Sequence, residues 1–203
     1  MADWDANRPE LLRNLLDLGT KVAAAANARE ALSSEVIRAW QNDIMRGLDP
    51  SDGEPLGVFR GEAGLDDYDV AIGNFSGTPA ELVRTELAVF DRTLTQQLEE
   101  LDRIIRRGRL AEHATADNVS AVIILCAWAH GEWVRMHPFP NGNGRTARIL
   151  VNGIALRYGL PAFLRIRPRP GSEYEQVAHE AMQGNWQAAI PVFQRLYQAT
   201  LAS

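Results

Sequence analysis

The sequence contains one cysteine, Cys126, and one lysine, Lys21, in 203 residues. A single cysteine cannot form an internal disulfide, and the apolar run 122–125 before it is typical of a small core residue. Because Lys21 lies outside any glycine run, a P-loop nucleotide site is excluded. Arginine therefore supplies nearly all the positive charge, and a genomic base bias explains that excess more simply than a function does.

An excess of positive charge is also absent. The net charge is −5, so the chain has no field that would attract nucleic acid or an anionic membrane, and we expect neither as a partner. No uninterrupted apolar segment reaches membrane-spanning length, and the first residues lack a basic stretch followed by an apolar one. We therefore expect a cytoplasmic protein, with delivery into another cell left open. Any phosphate must be bound by a local site.

Hydrophobic periodicity is plentiful, and it predicts a mostly helical chain of one domain. The predicted helices share apolar residues at helical spacing, and they run over Pro9 to about Ile44 with a break near Ser33–Ser34, Thr78 to about Arg107, about Asn118 to Arg135, about Gly144 to Tyr158, and in one or two pieces from Glu173 to Ala202. Asn7 and Thr78 are the predicted N-caps of the first two segments, because a glutamate follows each three residues later.

The stretch from Gly47 to Thr78 cannot be one long helix, because it is rich in Gly, Pro, Asp and Ser. Two short pieces within it, Val58–Phe59 and Asp69–Ile72, have the composition of extended chain. We therefore expect an all-α fold with one small β-hairpin in this stretch.

The segment from His137 to Arg148 combines residue types that bind phosphate. Gly142 and Gly144 let backbone N–H groups approach an anion at the start of a helix, which adds a partial positive charge there. Arg145 and Arg148 are three residues apart, so on a helix both fall on one face and can reach successive phosphates. The pattern predicts an anion-binding loop at a helix N-terminus.

Two further residues of this segment have predicted roles. His137 directly precedes the glycines, where it can take a proton from an incoming hydroxyl group. Phe139 is apolar and can anchor the loop to the core. The run 141–144 alone would more often be an ordinary turn, since Asn-Gly is a turn former. The combination of histidine, glycines and two arginines within twelve residues favours a catalytic loop.

At these residues the chain resembles the Fic domain family, whose signature is His-x-Phe-x-(Asp/Glu)-Gly-Asn-Gly-Arg-x-x-Arg. The matching positions are His137, Phe139, Gly142, Asn143, Gly144, Arg145 and Arg148. Upstream, Gly57-Val58-Phe59-Arg60 resembles the Gly-x-aromatic-Arg element that precedes the substrate flap, and 69–75 falls where the flap hairpin belongs. The resemblance begins near Ser34, so we expect a helical extension at 1–33 and a Fic-like catalytic domain at 34–203.

The resemblance implies transfer of AMP from ATP to a Tyr, Thr or Ser hydroxyl group of a target protein, with His137 as general base. The implied phosphate-binding residues all lie in the loop: Gly142, Asn143, Gly144, Arg145 and Arg148. Backbone edges of the flap are implied to pair with a target segment, at Val70, Ala71 and Ile72.

One position departs from the family pattern. Asn141 stands where the family has Asp or Glu to bind magnesium, and a neutral amide oxygen is a weaker ligand for that ion. Three alternatives follow. The chain is a slow AMP transferase, it uses another nucleotide or a phosphodiester-linked donor, or it is an inactive nucleotide-binding module.

A second departure concerns inhibition. Many Fic proteins carry an inhibitory (Ser/Thr)-x-x-x-Glu-(Gly/Asn) helix, and no glutamate of this chain is followed by Gly or Asn. The chain then lacks self-inhibition, or a separate small partner inhibits it, as in toxin–antitoxin members of the family. A cryptic inhibitory residue at Glu30 or Glu35 stays open.

Other candidate residues have simpler explanations. His130 precedes His137 by seven residues, but no carboxylate completes a metal-ligand set, so a metal pair is not expected. Trp128 and Trp133 are explained by packing. Alternate arginines in the basic segment 165–169 point the same way if that segment is extended, and they are an open alternative for contact with nucleotide or target: Arg165, Arg167 and Arg169.

Overall fold

Seven α-helices, a short 3₁₀ helix and one hairpin make up the regular structure of residues 9–48, 55–106 and 115–202, the parts of the chain that the computed structural model describes. The helices are α1 (Pro9–Ala28), α2 (Ser34–Met45), α3 (Ala80–Ile104), α4 (Ala116–Met136), α5 (Asn143–Arg157), α6 (Ser172–Met182) and α7 (Ala189–Leu201). The strands are β1 (Ala71–Ile72) and β2 (Phe75–Ser76), and the 3₁₀ helix is Trp186–Ala188. The predicted all-α fold with one small hairpin is confirmed.

Helices α4 and α5 form the centre of the fold, and both are buried along most of their length. Glycines let neighbouring elements approach them closely. A Cβ atom at Gly131 would lie 2.3 Å from the Cβ of Trp186, and one at Gly153 would lie 3.2 Å from Val22. Each large apolar side chain buried here contributes about 1.5–3 kcal/mol. The two central helices therefore give the loop between them a rigid support.

The predicted break near Ser33–Ser34 is present. The hydroxyl group of Ser33 caps α2 by accepting a hydrogen bond from the backbone N–H of Val36. Helix α1 packs against α2 and α5 through buried residues such as Leu18, so the predicted N-terminal extension shares the main core. Asn7, the predicted cap of α1, lies outside the described residues.

The hairpin pairs Ala71 with Ser76 and Ile72 with Phe75 in antiparallel register. Gly73 supplies the left-handed backbone (φ 61°) that its tight turn requires. We refer to residues 68–78, the hairpin with its two flanks, as the flap. Val58 and Phe59 lie outside the strands.

The prediction that Thr78 caps α3 is wrong. The backbone N–H of Ala80 donates instead to Asp69 Oδ1 at 2.9 Å, so a side chain from the start of the flap caps the helix. Thr78 donates its hydroxyl group to Glu86 at 3.1 Å. Helix α3 ends at Ile104, and Arg107, its predicted end, lies outside the described residues. None of the helices described has the length and apolar composition that crossing a membrane requires.

Candidate active site

The loop that joins α4 to α5 turns sharply at Gly142, whose φ of 87° favours glycine. The carbonyl of Gly142 accepts hydrogen bonds from the backbone N–H groups of Arg145 and Thr146, and this begins α5. The N–H groups of Asn143 and Gly144 lie in the first turn, where no intrahelical carbonyl exists to accept from them. These N–H groups and the positive end of the helix dipole lie together, an arrangement that favours an anion.

Polar side chains of the first turn hold the loop in shape. Asn143 binds the backbone of Phe139 twice, because its Oδ1 accepts from the N–H at 3.0 Å and its Nδ2 donates to the carbonyl at 2.7 Å. Thr146 accepts a hydrogen bond from the indole N–H of Trp133 at 2.9 Å. Packing alone, the role predicted for Trp133 from the sequence, does not account for its hydrogen bond to Thr146.

Phe139 is fully buried between the loop and the core. Its ring stacks on that of Phe59 with 4.8 Å between centroids, and the ring of Trp133 lies 5.9 Å away. The stacking joins the Gly57–Arg60 element to the loop, although nearly eighty residues separate them in sequence.

His137 is the last residue before the loop, and its backbone is left-handed, with φ 49° and ψ 58°. Its Nδ1 lies 2.7 Å from the carbonyl oxygen of Val134. A carbonyl oxygen only accepts, so Nδ1 carries the proton, and Nε2 of the neutral ring is left with a free lone pair. Burial lowers the pKa of His137, against the raising effect of the Val134 hydrogen bond, and the charge of Arg60 lowers it further. His137 is therefore neutral and able to accept a proton near pH 7.

Arg60 lies beneath His137 and is 1% exposed. Its Nε donates to the carbonyl of His137 at 2.7 Å, and its Nη2 donates to the carbonyls of Met136 at 2.8 Å and Thr78 at 2.6 Å. Its Nη1 donates to the carbonyl of Tyr68 at 3.2 Å. The Gly-x-aromatic-Arg pattern marked Arg60 in the sequence, but nothing there indicated these partners.

The flap lies directly against His137. A Cβ atom at Gly77 would come within 3.0 Å of both His137 Cβ and Arg60 Nη2. Of the predicted flap residues, Ala71 is exposed, and Val70 and Ile72 are half-buried. The structure therefore brings together the predicted base and the predicted flap.

Arg148 is 3% exposed and reaches back along α5 towards its first turn. A Cβ atom at Gly144 would lie 3.3 Å from its Nη1. Its Nη2 donates to the carbonyl of Ile166 at 3.0 Å, and its Nη1 donates to the hydroxyl group of Tyr174 at 3.5 Å. Arg145 is directed towards α2, with Nη1 3.7 Å from the sulfur atom of Met45.

Tyr174 connects Arg148 to His130, since its hydroxyl oxygen lies 2.8 Å from His130 Nε2. Burial lowers the pKa of His130 to about 3, and the charge of Arg148 adds to this effect. His130 is therefore neutral, and Tyr174 accepts from Arg148 while donating to Nε2. Within the described residues, His130 Nδ1 and Arg148 Nε have no hydrogen-bond partner. No sequence pattern indicated this network, whose members come from three helices.

Asn141, the predicted weak magnesium ligand, directs its Oδ1 at its own loop. That oxygen accepts the backbone N–H of Gly142 at 2.6 Å. The described residues contain no cluster of three or more His, Cys, Asp or Glu side chains that could hold a metal ion. A single neutral oxygen that already accepts a hydrogen bond does not fit magnesium, which proteins usually hold through one or two carboxylates together with substrate phosphates and waters. We therefore assign no step to a metal ion.

The two glutamates considered as cryptic inhibitors have other positions. Glu35 pairs with Arg38 at 3.0 Å on α2. The backbone carbonyl of Glu30 accepts from Arg157, which is nine residues and roughly 13 Å along α5 from Arg148.

In the basic segment 165–169, Arg165 and Arg169 are exposed. Arg165 donates to the carbonyl of Pro168 at 3.0 Å, and Arg169 pairs with Glu175. The carbonyl of Ile166, in the same segment, accepts from Arg148. The segment therefore supports one of the two loop arginines through its backbone.

The chain thus combines a helical core, a glycine-rich loop at a helix N-terminus and a flap beside a neutral histidine. The profile of the Fic/DOC family matches residues 31–155, more than half of the chain, and the chain belongs to this family.

Curated relatives resemble the chain over limited segments. It is 35% identical over 79 residues to the protein adenylyltransferase Fic of Nematostella vectensis, covering 39% of this chain and 18% of the relative. It is 45% identical over 60 residues to the protein adenylyltransferase fic-1 of Caenorhabditis elegans, covering 29% and 11%. The chain thus spans less than a fifth of the length of these relatives.

A solved structure shows the same fold. A Fic domain containing signaling protein from Bacteroides thetaiotaomicron superposes with a TM-score of 0.65 and 17% sequence identity. The match covers 93% of this chain and 69% of the other, so it includes at least part of the extension before Ser34.

Proposed function

We propose that this protein transfers AMP from ATP to a Tyr, Thr or Ser hydroxyl group of a target protein and releases pyrophosphate. The observation that carries the proposal is the free lone pair on Nε2 of a neutral His137. In the reaction, Nε2 takes the hydroxyl proton while the hydroxyl oxygen bonds to the α-phosphorus. The bond from that phosphorus to the bridging oxygen breaks, and pyrophosphate leaves.

The start of α5 binds the polyphosphate in this proposal. The backbone N–H groups of Asn143 and Gly144 would donate to it at the turn where the helix dipole favours negative charge. The N–H of Gly142 already donates to Asn141 Oδ1, so Gly142 contributes the left-handed turn that opens the helix. Arg145 and Arg148 bind the outer phosphates, where an arginine can stabilise the charge that develops on the leaving group. Support comes from the lack of a side chain at Gly144, which leaves Arg148 Nη1 close to the first turn.

The flap presents the target. An extended target segment would pair with the backbone near Val70, Ala71 and Ile72, and this requires little side-chain specificity. Exposure of Ala71, together with the packing of Gly77 against His137, supports this role. The hydroxyl side chain of a paired segment would then lie beside the base.

We also propose that the transferase acts in the cytoplasm. Its inhibitor in this proposal is a separate small protein that supplies a carboxylate to Arg148, as an antitoxin would. Glu30 and Glu35 both lie beside other arginines, and this supports a partner in trans.

His137→Ala tests the mechanism. General-base catalysis contributes on the order of 10²–10⁴-fold, so transfer from labelled ATP to lysate proteins should fall by that factor while the thermal unfolding curve stays close to that of the wild type. The transfer rate of the wild type should decrease as the pH is lowered, because protonation of His137 removes the base. The midpoint should lie below pH 6.5, since the pKa of His137 is lowered. Equal labelling by the variant would exclude His137 as the base.

Asn141 favours two other candidates: a nucleotide-binding module without activity, or an enzyme that uses another donor. Its amide oxygen accepts the N–H of Gly142 instead of being directed into the site. Asn141→Asp restores the carboxylate of the family signature. With magnesium present, a rise in AMP transfer supports a slow adenylyltransferase. Transfer from another labelled nucleotide identifies a different donor, and binding without transfer in both proteins identifies the module.

A further inference from the structure

We propose that Arg60 is a positioning residue that fixes the His137 base and the flap as one unit. The inference rests on the proposed function, because it concerns the residue that accepts the hydroxyl proton. Arg60 itself contacts neither the nucleotide nor the target in this proposal.

The contacts of Arg60 are concentrated on the backbone around His137. Three consecutive carbonyls, those of Met136, His137 and Pro138, accept hydrogen bonds from Arg60. The first two bonds come from the guanidinium group, and the third comes from the backbone N–H of Arg60 at 2.8 Å. One residue therefore fixes the peptide units on both sides of the base.

His137 needs such support because its backbone is strained. A left-handed conformation costs a non-glycine residue roughly 1–2 kcal/mol, and it persists only where the surroundings enforce it. The same conformation directs Nδ1 back to Val134 and leaves Nε2 free. Loss of the Arg60 contacts should therefore free the backbone of His137 and with it the orientation of the ring.

Arg60 also joins the two ends of the flap. The carbonyls of Tyr68 and Thr78, its first and last residues, accept from Nη1 and Nη2. Asp69 adds an ion pair at 3.5 Å. Because one rigid guanidinium group binds both flap ends and the backbone of His137, a segment paired with the flap meets the base at a fixed distance.

A lysine cannot reproduce this arrangement. The guanidinium group is planar and has five donors in a fixed fork, whereas an ammonium group has three donors on a flexible stem. Arg60→Lys keeps the charge but loses hydrogen bonds either to the backbone around His137 or to the two ends of the flap. Arg157→Lys is the matched control, because Arg157 is also largely buried, with its guanidinium group on Asp102 and Glu30, and lies at the far end of α5.

The first measurement is the ¹⁵N signal of the His137 ring as a function of pH, which needs neither nucleotide nor target. In the wild type and Arg157→Lys we expect a dominant Nδ1–H form and a pKa below the ordinary value. In Arg60→Lys we expect mixed ring forms and a pKa closer to 6.5, since the loosened ring gains solvent. Unchanged signals in folded Arg60→Lys would overturn the proposal.

The second measurement is the transfer rate. A misplacement of about 1 Å costs on the order of 10²-fold, so kcat should fall by that factor in Arg60→Lys while KM for the nucleotide changes little. A wild type that transfers nothing refutes the proposed function but leaves the ring titration as a test of Arg60.

If Arg60→Lys does not fold, a measurement on the wild type tests the proposal instead. Its Arg60 Nε–H signal should be protected from solvent exchange like the backbone amides of α4 and α5, and rapid exchange would overturn the proposal.

Discussion

The two sides of the loop between α4 and α5 are supported in different ways. We call the side of Arg60, His137 and the flap the base side, and the side of Arg148, Tyr174 and His130 the phosphate side, after the roles proposed above. On the base side, Nε, Nη1 and Nη2 of Arg60 all have carbonyl acceptors. On the phosphate side, Arg148 Nε and His130 Nδ1 are buried with no acceptor in the described part of the chain. The arginine donors of the base side thus have acceptors within the protein, whereas the phosphate side keeps two buried donors without a partner in the described residues.

This difference follows the chemistry proposed for each side. A buried polar group without a partner costs about 1–3 kcal/mol, and such groups in native proteins often have a functional role. A base must already be oriented when the hydroxyl group arrives, so its support should be complete. An arginine that binds phosphate gains its strongest partner only from the nucleotide. Variants on the two sides should therefore affect different kinetic constants.

Of the variants discussed here, Gly77→Ala should reduce activity most, because it disrupts the contact between the flap and His137. The added Cβ would lie 2.9 Å from Val70 and 3.0 Å from both Arg60 and His137, so the flap must move away from the base. Because a shift of about 1 Å costs on the order of 10²-fold, we expect kcat for transfer to fall by that factor. Steady-state kinetics with labelled ATP and a fixed target measures this change.

Gly171→Ala is the control for Gly77→Ala, because a Cβ there meets nothing within 4 Å and its φ of −71° suits alanine. It should leave kcat unchanged. An equal loss in both variants would show that the flap contact has no special role.

The difference between the sides also explains how much the sequence could predict. The glycine-rich loop and the helices on either side of it were predictable, because glycine pattern, capping residues and periodicity are local signals. The partners of Arg60 were not, since backbone carbonyls have no sequence signature. The prediction that Thr78 caps α3 was wrong for the same reason. Asp69 accepts from the N–H of Ala80 only once the flap has folded, and no local pattern indicates this contact. Tyr174 reaches Arg148 across 26 residues, beyond any local pattern.

His130 gives the phosphate side a dependence on pH that the base side does not share to the same degree. Its pKa is about 3 in the folded protein and ordinarily 6.5, so only the unfolded chain binds a proton between these values. The free energy of unfolding should therefore fall as the pH drops below about 6.5, by about 1.4 kcal/mol per unit. His130→Gln removes this loss, which amounts to about 2 kcal/mol at pH 5.

Denaturant unfolding of both proteins at pH 7 and pH 5 measures the contribution of His130. The wild type minus variant difference cancels the other titrating groups. A difference that is the same at both pH values would mean that His130 is solvated and protonated in the folded protein.

Tyr174→Phe should have the smallest effect, and it sharpens the comparison. The variant removes the hydroxyl group that accepts from Arg148 and donates to His130, while the ring remains in place. A hydrogen bond of this kind contributes about 1 kcal/mol, so the affinity for ATP should fall about fivefold. Calorimetric titration of ATP measures this change.

The base side should be untouched in Tyr174→Phe, because Tyr174 contacts Arg148 and His130 but not Arg60 or His137. We expect the ¹⁵N titration of His137 to match that of the wild type. In the double variant Gly77→Ala/Tyr174→Phe, the losses in kcat/KM should add as free energies if the two sides act independently. A coupling of more than about 0.5 kcal/mol would contradict that independence, and it would mean that α4, which carries both His130 and His137, transmits strain between them.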